Sequence, residues 1–343
     1  MALTDKQYEQ LKDEIKNCTK PLFFFHDDPD GLCSFLLLYR FVKEGKGICI
    51  KSSPKVDISF VRKVDEYQPD KIFILDLALV NQDFLDAVKV PVIWIDHHEP
   101  LERDKVKYFN PRIKDPTDNI PVSYMCYRIV EQDLWISICG IVGDWFMSPL
   151  SAEFSKKYPN LLPANIKKPD KALFATRLGE LIKIFSFILK GKTEEVMKCV
   201  KILTRIDSPY EILEGTTPQG NYILKRAKKI GESYEELLKD AIKSVKKDKL
   251  IFYVYTGKEY SFTKEISNEL LFKYPNKVIL VCREKNGEMK CSLRSGKKLI
   301  LPPILEKALH DIDGYGGGHE HACGVCVKNE DFNQFLENFK ALI

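Results

Sequence analysis

The stretch that decides the fold is VPVIWIDHH, residues Val90–His98, in which a run of apolar side chains ends at Asp96, His97 and His98. Apolar runs of this length that are rich in valine and isoleucine are typical of a strand buried on both faces of a sheet. Open α/β sheets place their functional sites at the carboxyl ends of such strands. Carboxylates and neutral imidazoles are common metal ligands. The stretch therefore predicts either a metal site or a buried, hydrogen-bonded histidine pair.

The same pattern occurs twice earlier in the chain. The apolar run Pro21–Phe25 leads into His26–Gly31, a segment with one histidine and three aspartates, and Lys71–Leu75 is followed at once by Asp76. Asp28–Gly31 has the chemistry of a turn, and residues 32–43 then have a helical pattern. Helical patterns separate these apolar runs, which is the arrangement of βαβ units in a parallel sheet. The carboxyl ends of parallel strands lie along one edge, so we expect the polar residues there to converge. They are His26, Asp28, Asp30, Asp76, Asp96, His97 and His98.

A later helix supplies one more carboxylate. The apolar helix predicted over Ile136–Val142 ends at Gly143 and Asp144. An aspartate after a glycine says little alone, but Asp144 becomes a candidate ligand because the site needs a further carboxylate. Like charges packed at one place repel one another unless a cation holds them.

Composition and charge limit the class of protein. The chain has 343 residues, of which 44% are hydrophobic and 30% charged, and this size predicts two domains. No apolar span of about 18 residues and no N-terminal signal sequence is found, so we expect a cytoplasmic protein whose ten cysteines are mostly reduced. Residues 1–150 contain 19 Lys and Arg against 24 Asp and Glu, and the remainder contains 34 against 25. An acidic first part suits a cation site, and a basic second part suits either a polyanionic substrate or an ordinary lysine-rich surface.

The predicted fold class is α/β. Residues 1–148 are expected to form a parallel-sheet domain with helices on both faces. Residues 149–245 have helical periodicity without strong strand signals, and we interpret them as a helical connecting region. Residues 246–343 are expected to form a smaller mixed α/β domain.

The last domain carries a second group of candidate residues. Strands are predicted at Val278–Cys282 and Glu288–Ser295, joined by the hairpin turn Asn286-Gly287. Three consecutive glycines, Gly316–Gly318, then precede His319. Glycines let a backbone approach a ligand and offer its amides to a phosphate, and the nearby Arg294 and His319 supply donors that a phosphate site needs. A flexible linker is the alternative.

The pair Cys323 and Cys326 has the spacing of a zinc or redox motif. No second cysteine pair or downstream histidine completes a zinc set, and Ala322–Val327 alternates like a strand. We therefore favour buried strand cysteines.

Taken together, these motifs resemble those of the DHH phosphoesterase superfamily. The resemblance rests on His26–Gly31 as the first motif, Asp76 as the second, Asp96–His98 as the third and name-giving motif, and Gly143-Asp144 as the fourth. Ser292–Ser295 with Gly316–His319 resembles the DHH-associated substrate-binding domain. The order and spacing match across almost the whole chain. The similarity is greatest to archaeal RecJ-like exonucleases, and the helical middle region is covered least.

The resemblance implies roles for individual residues. It assigns six side chains to a centre of two divalent cations, Mn²⁺ or alternatively Mg²⁺: His26, Asp28, Asp30, Asp76, His97 and Asp144. Asp76 would bridge the ions, Asp96 would orient the imidazoles, and His98 would face the scissile phosphate. It assigns substrate binding to Ser292, Arg294, Ser295, Gly316, Gly317, Gly318 and His319.

The activity that this resemblance implies is hydrolysis of phosphodiester bonds, in which two metal ions stabilise the charge on the attacking and leaving oxygens. The leading hypothesis is an exonuclease on single-stranded DNA or RNA, with a role in DNA repair. A phosphodiesterase of short oligonucleotides or cyclic dinucleotides is one alternative. A non-catalytic replication scaffold of the Cdc45 type is another. We expect single-stranded nucleic acid as the partner and no membrane association; a replication or helicase protein and a second copy of the chain are further candidate partners.

Overall fold

The computed structural model describes residues 3–51, 55–257, 259–296 and 299–343. Its chain divides into two compact units, Met1–Ala227 and Lys228–Ile343. The three-part division at residues 148 and 245 stays a prediction. Among the described residues, no helix combines the length and the apolar character that a membrane span requires.

A five-stranded parallel sheet forms the centre of the first unit. Its spatial order is β2-β1-β4-β6-β7, and a separate two-stranded parallel sheet pairs β3 with β5. The strands are β1 (Pro21–His26), β2 (Lys46–Ile50), β3 (Lys55–Val56), β4 (Lys71–Leu75), β5 (Leu79–Val80), β6 (Val92–Ile95) and β7 (Lys107–Phe109). All four residues of β6 are buried, as the opening stretch predicts.

Helices of this unit pack on both faces of the sheet, and further helices pack on those. They are α1 (Asp5–Lys16), α2 (Pro29–Val42), α3 (Val61–Tyr67), α4 (Gln82–Ala87), α5 (Val122–Val130), α6 (Leu134–Gly143), α7 (Leu150–Lys157), α8 (Pro169–Ala175), α9 (Arg177–Ile188), α10 (Thr193–Leu203) and α11 (Pro209–Glu214). Short 3-10 helices lie at Ile58–Phe60 and Pro111–Ile113. A further helix, α12 (Pro218–Lys243), contains the boundary between the two units.

The alternating side chains of β1 show how the two faces are filled. Phe25 stacks on Phe35 of α2, with ring centroids 4.7 Å apart. Phe24 points to the other face and meets Phe84 of α4 edge to face at 5.9 Å. Successive strand residues point to opposite sides, so one aromatic strand is packed between two helical layers.

The second unit is a smaller mixed sheet with helices. Its strands are β8 (Leu250–Tyr255), β9 (Val278–Lys285), β10 (Glu288–Arg294), β11 (Gly314–His319) and β12 (Ala322–Lys328), and its helices after α12 are α13 (Thr263–Lys273), α14 (Pro302–Ala308) and α15 (Phe332–Ala341). The order is β11-β12-β10-β9-β8, with β8 parallel to β9 and the other pairs antiparallel. Asn286 and Gly287 both have positive φ, as a tight hairpin turn requires. The predicted α/β class, with a parallel sheet and a mixed C-terminal domain, is confirmed.

The structure differs from the sequence analysis at three places. The sequence predicts a turn at residues 28–31 and a helix from residue 32, but α2 begins at Pro29 because Asp28 caps it and a proline is favoured in the first helical turn. The strand of the opening stretch begins at Val92, after Pro91. The short strand β7 was not predicted at all.

Candidate metal centre

The carboxyl ends of three adjacent strands form this site. Strands β1, β4 and β6 are neighbours, and Phe25, Leu75 and Ile95 are paired across them in register. The polar residues that follow these three positions therefore meet at one edge of the sheet. The structure brings together every side chain that the sequence places there.

The first motif is shaped by the start of α2. Asp28 is the N-cap, and its Oδ1 accepts a hydrogen bond from the amide of Gly31 at 3.1 Å. Its other oxygen, Oδ2, lies 3.2 Å from Nδ1 of His26. Gly31 fits because a Cβ there would lie 2.6 Å from the His26 carbonyl oxygen. The glycine thus permits close approach of α2 to β1, rather than the turn that the sequence predicts.

Asp30 is held by the N-terminus of α5. It is 1% exposed, and its oxygens accept hydrogen bonds from the amides of Val122, at 2.8 Å, and Ser123, at 2.9 Å. The hydroxyl of Ser123 also donates to it. A carboxylate at a helix N-terminus is stabilised by the amides and the helix dipole. Ser123 is a residue that sequence reasoning missed, because it lies far along the chain from the first motif.

Asp144 is positioned by the end of α6. It is the C-cap, and the next two amides turn back onto the helix: Trp145 donates to the Val142 carbonyl and Phe146 to the Ile141 carbonyl. This is the Schellman arrangement, with Trp145 at φ 60° in the position where glycine is usual. The turn directs the Asp144 carboxylate to within 3.7 Å of Nδ1 of His97.

Asp76 lies at the middle of the site. It is 1% exposed and has a left-handed backbone, with φ 58°. Its Oδ1 lies 3.3 Å from Nε2 of His97, and its Oδ2 lies 3.5 Å from Nδ1 of His26. The two oxygens of one carboxylate therefore face two different imidazoles.

Three overlapping groups of side chains could each hold a cation, with ligand atoms within 4.8 Å of one another. The groups are Asp76, His97 and His98; His26, Asp28 and Asp76; and Asp30, His97 and Asp144. Within the described residues, two buried atoms at the site have no hydrogen-bond partner, Nδ1 of His26 and Oδ2 of Asp76. Unpaired buried polar atoms are uncommon and fit a site that binds an ion. Oxygen and imidazole donors suit Mn²⁺, and the oxygen donors suit Mg²⁺ as well.

Electrostatics of the site show the same need for positive charge. Burial opposes the charged form of His26, but Asp28 and Asp76 outweigh it and raise the pKa of His26 well above its usual value. Burial also opposes the charged form of His97, and Asp144 and Asp76 again raise its pKa. For Asp76, burial and Asp28 act to raise the pKa, but the two imidazoles outweigh them and lower it. Burial and the carboxylates of Asp76 and Asp144 raise the pKa of Asp30 well above its usual value. The carboxylates thus lack compensating positive charge, which a bound cation would supply.

His98 is oriented by a network behind the site. Its Nδ1 lies 2.7 Å from Oδ1 of the fully buried Asp96. Asn110 donates to the His98 carbonyl at 2.9 Å, and Tyr108 donates to Asp96 at 3.3 Å. Tyr108 lies on β7 and Asn110 directly follows it. Because this strand was not predicted, both residues were missed. The segment KYFN at 107–110 has only two aromatic residues between polar ones, which is too short a run to predict a strand.

The candidate substrate-binding residues lie in the second unit. Arg294 donates from Nε to Oδ1 of Asn268 at 2.5 Å and from Nη1 to the Leu293 carbonyl at 2.7 Å. Burial lowers the pKa of Arg294 to about 10. Ser292 donates to the Thr263 hydroxyl at 3.0 Å. Asn268, which fixes the guanidinium, is another residue that the sequence analysis missed.

Ser295 and the glycines have different surroundings. Ser295 is 2% exposed and its hydroxyl donates to the Leu299 carbonyl at 2.7 Å, which engages it in its own loop. Gly316, Gly317, Gly318 and His319 lie on β11, an exposed strand at the edge of the sheet. The glycine run is therefore a paired edge strand rather than a flexible linker. A Cβ at Gly317 would meet nothing within 4 Å, so its outer face is open.

The two closely spaced cysteines occupy β12. Cys323 and Cys326 are both buried and form no disulfide. An odd separation puts them on opposite faces of the strand. This geometry excludes a shared zinc ion and agrees with the prediction of buried strand cysteines.

Two family profiles match the chain. The DHH family, N-terminal domain, matches residues 22–165, and the DHHA1 domain matches residues 247–343. Sequence comparison with curated proteins finds no matching relative.

Solved structures share this fold at low sequence identity. RecJ of Thermus thermophilus in complex with Mn²⁺ is 16% identical with a TM-score of 0.73, over 99% of this chain and 55% of that one. The same protein is known in complex with Mg²⁺. An exonuclease RecJ bound to manganese is 14% identical with a TM-score of 0.63, covering 99% and 94% of the two chains. A pGpG-specific phosphodiesterase from Vibrio, PggH, is 13% identical with a TM-score of 0.51, covering 94% and 98%.

The chain spans about half of the Thermus RecJ chain, and identities this low establish the fold alone. The parallel sheet, the ligand edge and the two matched domains define a protein of the DHH phosphoesterase class. The chain therefore belongs to the DHH superfamily, and its fold is consistent with a RecJ-like member.

Proposed function

We propose that this chain hydrolyses phosphodiester bonds with two divalent cations and shortens single-stranded DNA or RNA from an end. The observation that carries the proposal is the position of Asp76, whose two oxygens face the separate imidazoles of His26 and His97. A carboxylate placed in this way suits a bridge between two cations. His26 and Asp28 form one metal-capable group with Asp76, and His97 and His98 form a second group with it.

The proposed ligands are the six side chains named by the sequence: His26, Asp28, Asp30, Asp76, His97 and Asp144. Divalent cations held there would stabilise the negative charge that develops on the phosphoryl oxygens. Mn²⁺ is the favoured ion because imidazoles join the carboxylates, and Mg²⁺ is the alternative. RecJ structures with either ion support the choice.

The protein's own part in the reaction centres on His98. Asp96 accepts a hydrogen bond from Nδ1–H of His98, which fixes the tautomer and the ring and directs Nε2 away from the protein network. Nε2 can then donate to a phosphate oxygen or to the leaving oxygen. Its side chain is 26% exposed, enough to meet a substrate.

The second unit would hold a phosphate or a base of the substrate. Arg294 is a partly buried cation whose guanidinium is held in place by Asn268, and such a group favours an anion such as phosphate. His319 and the open backbone of Gly316–Gly318 supply further donors on β11. Ser292 would act through α13, where its hydroxyl contacts Thr263, and Ser295 through the loop that it holds.

A phosphodiesterase of short oligonucleotides or cyclic dinucleotides is the second candidate. It is favoured by the shared fold of the pGpG-specific enzyme from Vibrio. A non-catalytic scaffold is disfavoured, because the three metal-capable groups are complete. A replication or helicase partner, self-association and a cytoplasmic location stay predictions.

Digestion of end-labelled single strands with Mn²⁺ tests the proposal. Strands of several lengths, labelled at either end and made of DNA or RNA, are compared with a dinucleotide and a cyclic dinucleotide. Progressive shortening of the long strands would support the exonuclease, and the end label that disappears first would give its direction. Cleavage confined to the smallest substrates would support the second candidate.

Substitutions test which residues are needed for hydrolysis. Asp76→Ala and His97→Ala should abolish hydrolysis while the circular dichroism spectrum stays that of a folded protein. Asp65→Asn, an exposed carboxylate on α3, is the control. Arg294→Ala should raise KM more than it weakens binding of Mn²⁺. Full activity of Asp76→Ala would rule out the two-cation site.

A further inference from the structure

A basic side chain lies beside the metal edge, at the end of β2. Ile50 is paired in register with His26, so the next residues along the two strands, Lys51 and Asp27, are also neighbours. Adjacent strands are about 4.8 Å apart. Lys51 therefore lies about one strand spacing from the first metal motif, although no motif of the sequence includes it.

Lys51 shares its surroundings with an arginine from a distant part of the chain. Its ammonium donates to the Gly191 carbonyl at 2.6 Å, in the turn between α9 and α10. Arg226 of α12 reaches the same turn, and its Nη2 donates to the Lys190 carbonyl at 2.9 Å. Two cations thus bind consecutive carbonyls, so their charged groups lie close together.

Arg226 has hydrogen-bonding capacity that the protein does not use. Its side chain is 13% exposed, and its buried Nε has no partner within the described residues. Glu195 lies 3.2 Å from Nη2 and offsets one positive charge. A guanidinium has five N–H donors, and a buried donor without an acceptor is uncommon.

More positive charge lies on the same face of α10 and α12. Lys198 is three residues after Glu195 on α10, and its ammonium lies 4.6 Å from the ring centre of Tyr222. Tyr222 lies four residues before Arg226 on α12. The pair Lys198–Tyr222 is therefore adjacent to the pair Glu195–Arg226. Lys51, Lys198 and Arg226 thus exceed the two carboxylates that face this group, Asp27 beside Lys51 and Glu195 beside Arg226.

We propose that Lys51 and Arg226 form a binding site for a phosphate of the nucleic-acid strand, next to the phosphate that is cut. The inference rests on the proposed function and adds a second anchoring point for the same substrate. The site selects strands with more than one phosphate, because a neighbouring phosphate must reach the end of β2. The ligand is a phosphate of the strand, either one within the backbone or one at its end.

A purely structural role is the competing explanation. Cations near the end of a helix bind its last carbonyls, and Lys51 and Arg226 could serve only to hold the turn after α9. In that case substitution would lower stability and would affect all substrates equally. A phosphate site would instead make the effect depend on the number of phosphates and on salt.

The test combines binding and kinetics on the full-length chain. Variants Lys51→Gln, Lys51→Arg and Arg226→Gln are compared with Lys16→Gln, an exposed lysine on α1. Binding of a labelled single strand of about 12 nucleotides is followed by fluorescence anisotropy in EDTA over a salt series. KM is then measured with Mn²⁺ for the same strand and for a dinucleotide.

We expect Lys51→Gln to weaken strand binding about tenfold and to lower the slope of log K against log salt by about 0.7, the loss of one phosphate contact. KM should rise about tenfold more for the strand than for the dinucleotide, and Lys51→Arg should restore most of the loss. Equal losses on both substrates with a lower Tm, or an unchanged salt slope, would overturn the phosphate site.

Strands with a 5′-phosphate, a 3′-phosphate or neither identify which phosphate binds. The same loss on all three would assign the site to an internal phosphate, and a loss on one would assign it to that terminus; either supports the site. The anisotropy measurement is made in EDTA, so its result does not depend on catalysis. If the wild-type chain hydrolyses none of the substrates, the proposed function fails, while the binding data still decide whether Lys51 contacts phosphate.

Discussion

The Nδ1 atom of His98 lies 2.7 Å from Oδ1 of Asp96, a carboxylate with no exposed surface. This pair predicts that Asp96→Asn impairs the reaction without removing the metal. The asparagine can turn its amide toward Nδ1 and favour the wrong tautomer of His98. We expect kcat to fall about 10–100-fold while the Mn²⁺ content, measured by mass spectrometry, stays unchanged.

The exposed Asp65→Asn serves as the control for this prediction, because it removes a carboxylate of the same kind from α3. An Asp96→Asn enzyme that keeps wild-type kcat would contradict the orienting role. Loss of Mn²⁺ together with activity would assign Asp96 to metal binding instead.

The position of Asp76 between two imidazoles predicts a large effect of metal on stability. A ligand that binds only the folded state at about 100 times its Kd adds about 2.7 kcal/mol to the free energy of unfolding. Mn²⁺ should therefore raise the Tm of the wild-type chain relative to EDTA. Asp76→Asn should lose most of this increase, and thermal unfolding with and without Mn²⁺ is the measurement. An equal Tm increase in both proteins would count against Asp76 as a ligand.

Strand ends were the part of the site that the sequence could predict. Residues 72–75 and Val92–Ile95 are uninterrupted apolar runs, each followed directly by a polar residue. Near-continuous apolar runs of this length are typical of buried parallel strands, and the topology of a parallel sheet places all their carboxyl ends at one edge. The convergence of Asp76 with Asp96 and its neighbours follows from these two facts.

The rest depended on contacts between distant parts of the chain. Strand β7 has only three residues, too few for a pattern, so Asn110 and its bond to the His98 carbonyl were invisible. Asp30 is held by the amide of Ser123, which only the packing of α2 against α5 brings near. The start of α2 depended on capping by Asp28, where turn and helix have the same sequence signal.

The helix that begins at the first metal motif is anchored at its other end by Arg40. This side chain is 12% exposed and makes two bonds to Asp133, at 2.7 and 3.0 Å. It also donates to the carbonyls of Thr204 and Ile206. Arg40→Lys should lower the free energy of unfolding by about 2 kcal/mol, because an ammonium cannot reproduce this planar set of bonds.

Arg62→Lys is the matched control for Arg40. Arg62 is 84% exposed and pairs with Glu66 on the same helix at 2.8 Å. Exposed pairs of this kind contribute about 0.5 kcal/mol or less. Urea unfolding of both variants measures the difference, and equal small losses would show that Arg40 does not anchor α2.

Asp70 predicts a stability effect that depends on pH. Its carboxylate accepts hydrogen bonds from the Cys18 thiol at 2.9 Å, from the Thr19 amide at 2.6 Å and from the Lys20 amide at 3.0 Å. Burial opposes the charged form, but these bonds outweigh it and lower the pKa of Asp70 below its usual range. The carboxylate therefore stabilises the fold only while it is ionised.

Asp70→Asn should cost about 1 kcal/mol at neutral pH, because an amide can accept only part of these bonds. The folded pKa lies below the unfolded value of about 3.9, so this contribution is complete above that pH and is lost as the pH falls through the folded pKa. The difference in unfolding free energy between wild type and Asp70→Asn should thus shrink from about pH 4 downward. Urea unfolding at a series of pH values measures it, with Asp65→Asn showing the effect of removing an exposed charge alone. A difference that stays constant into acid would mean that the Asp70 charge contributes nothing to the fold.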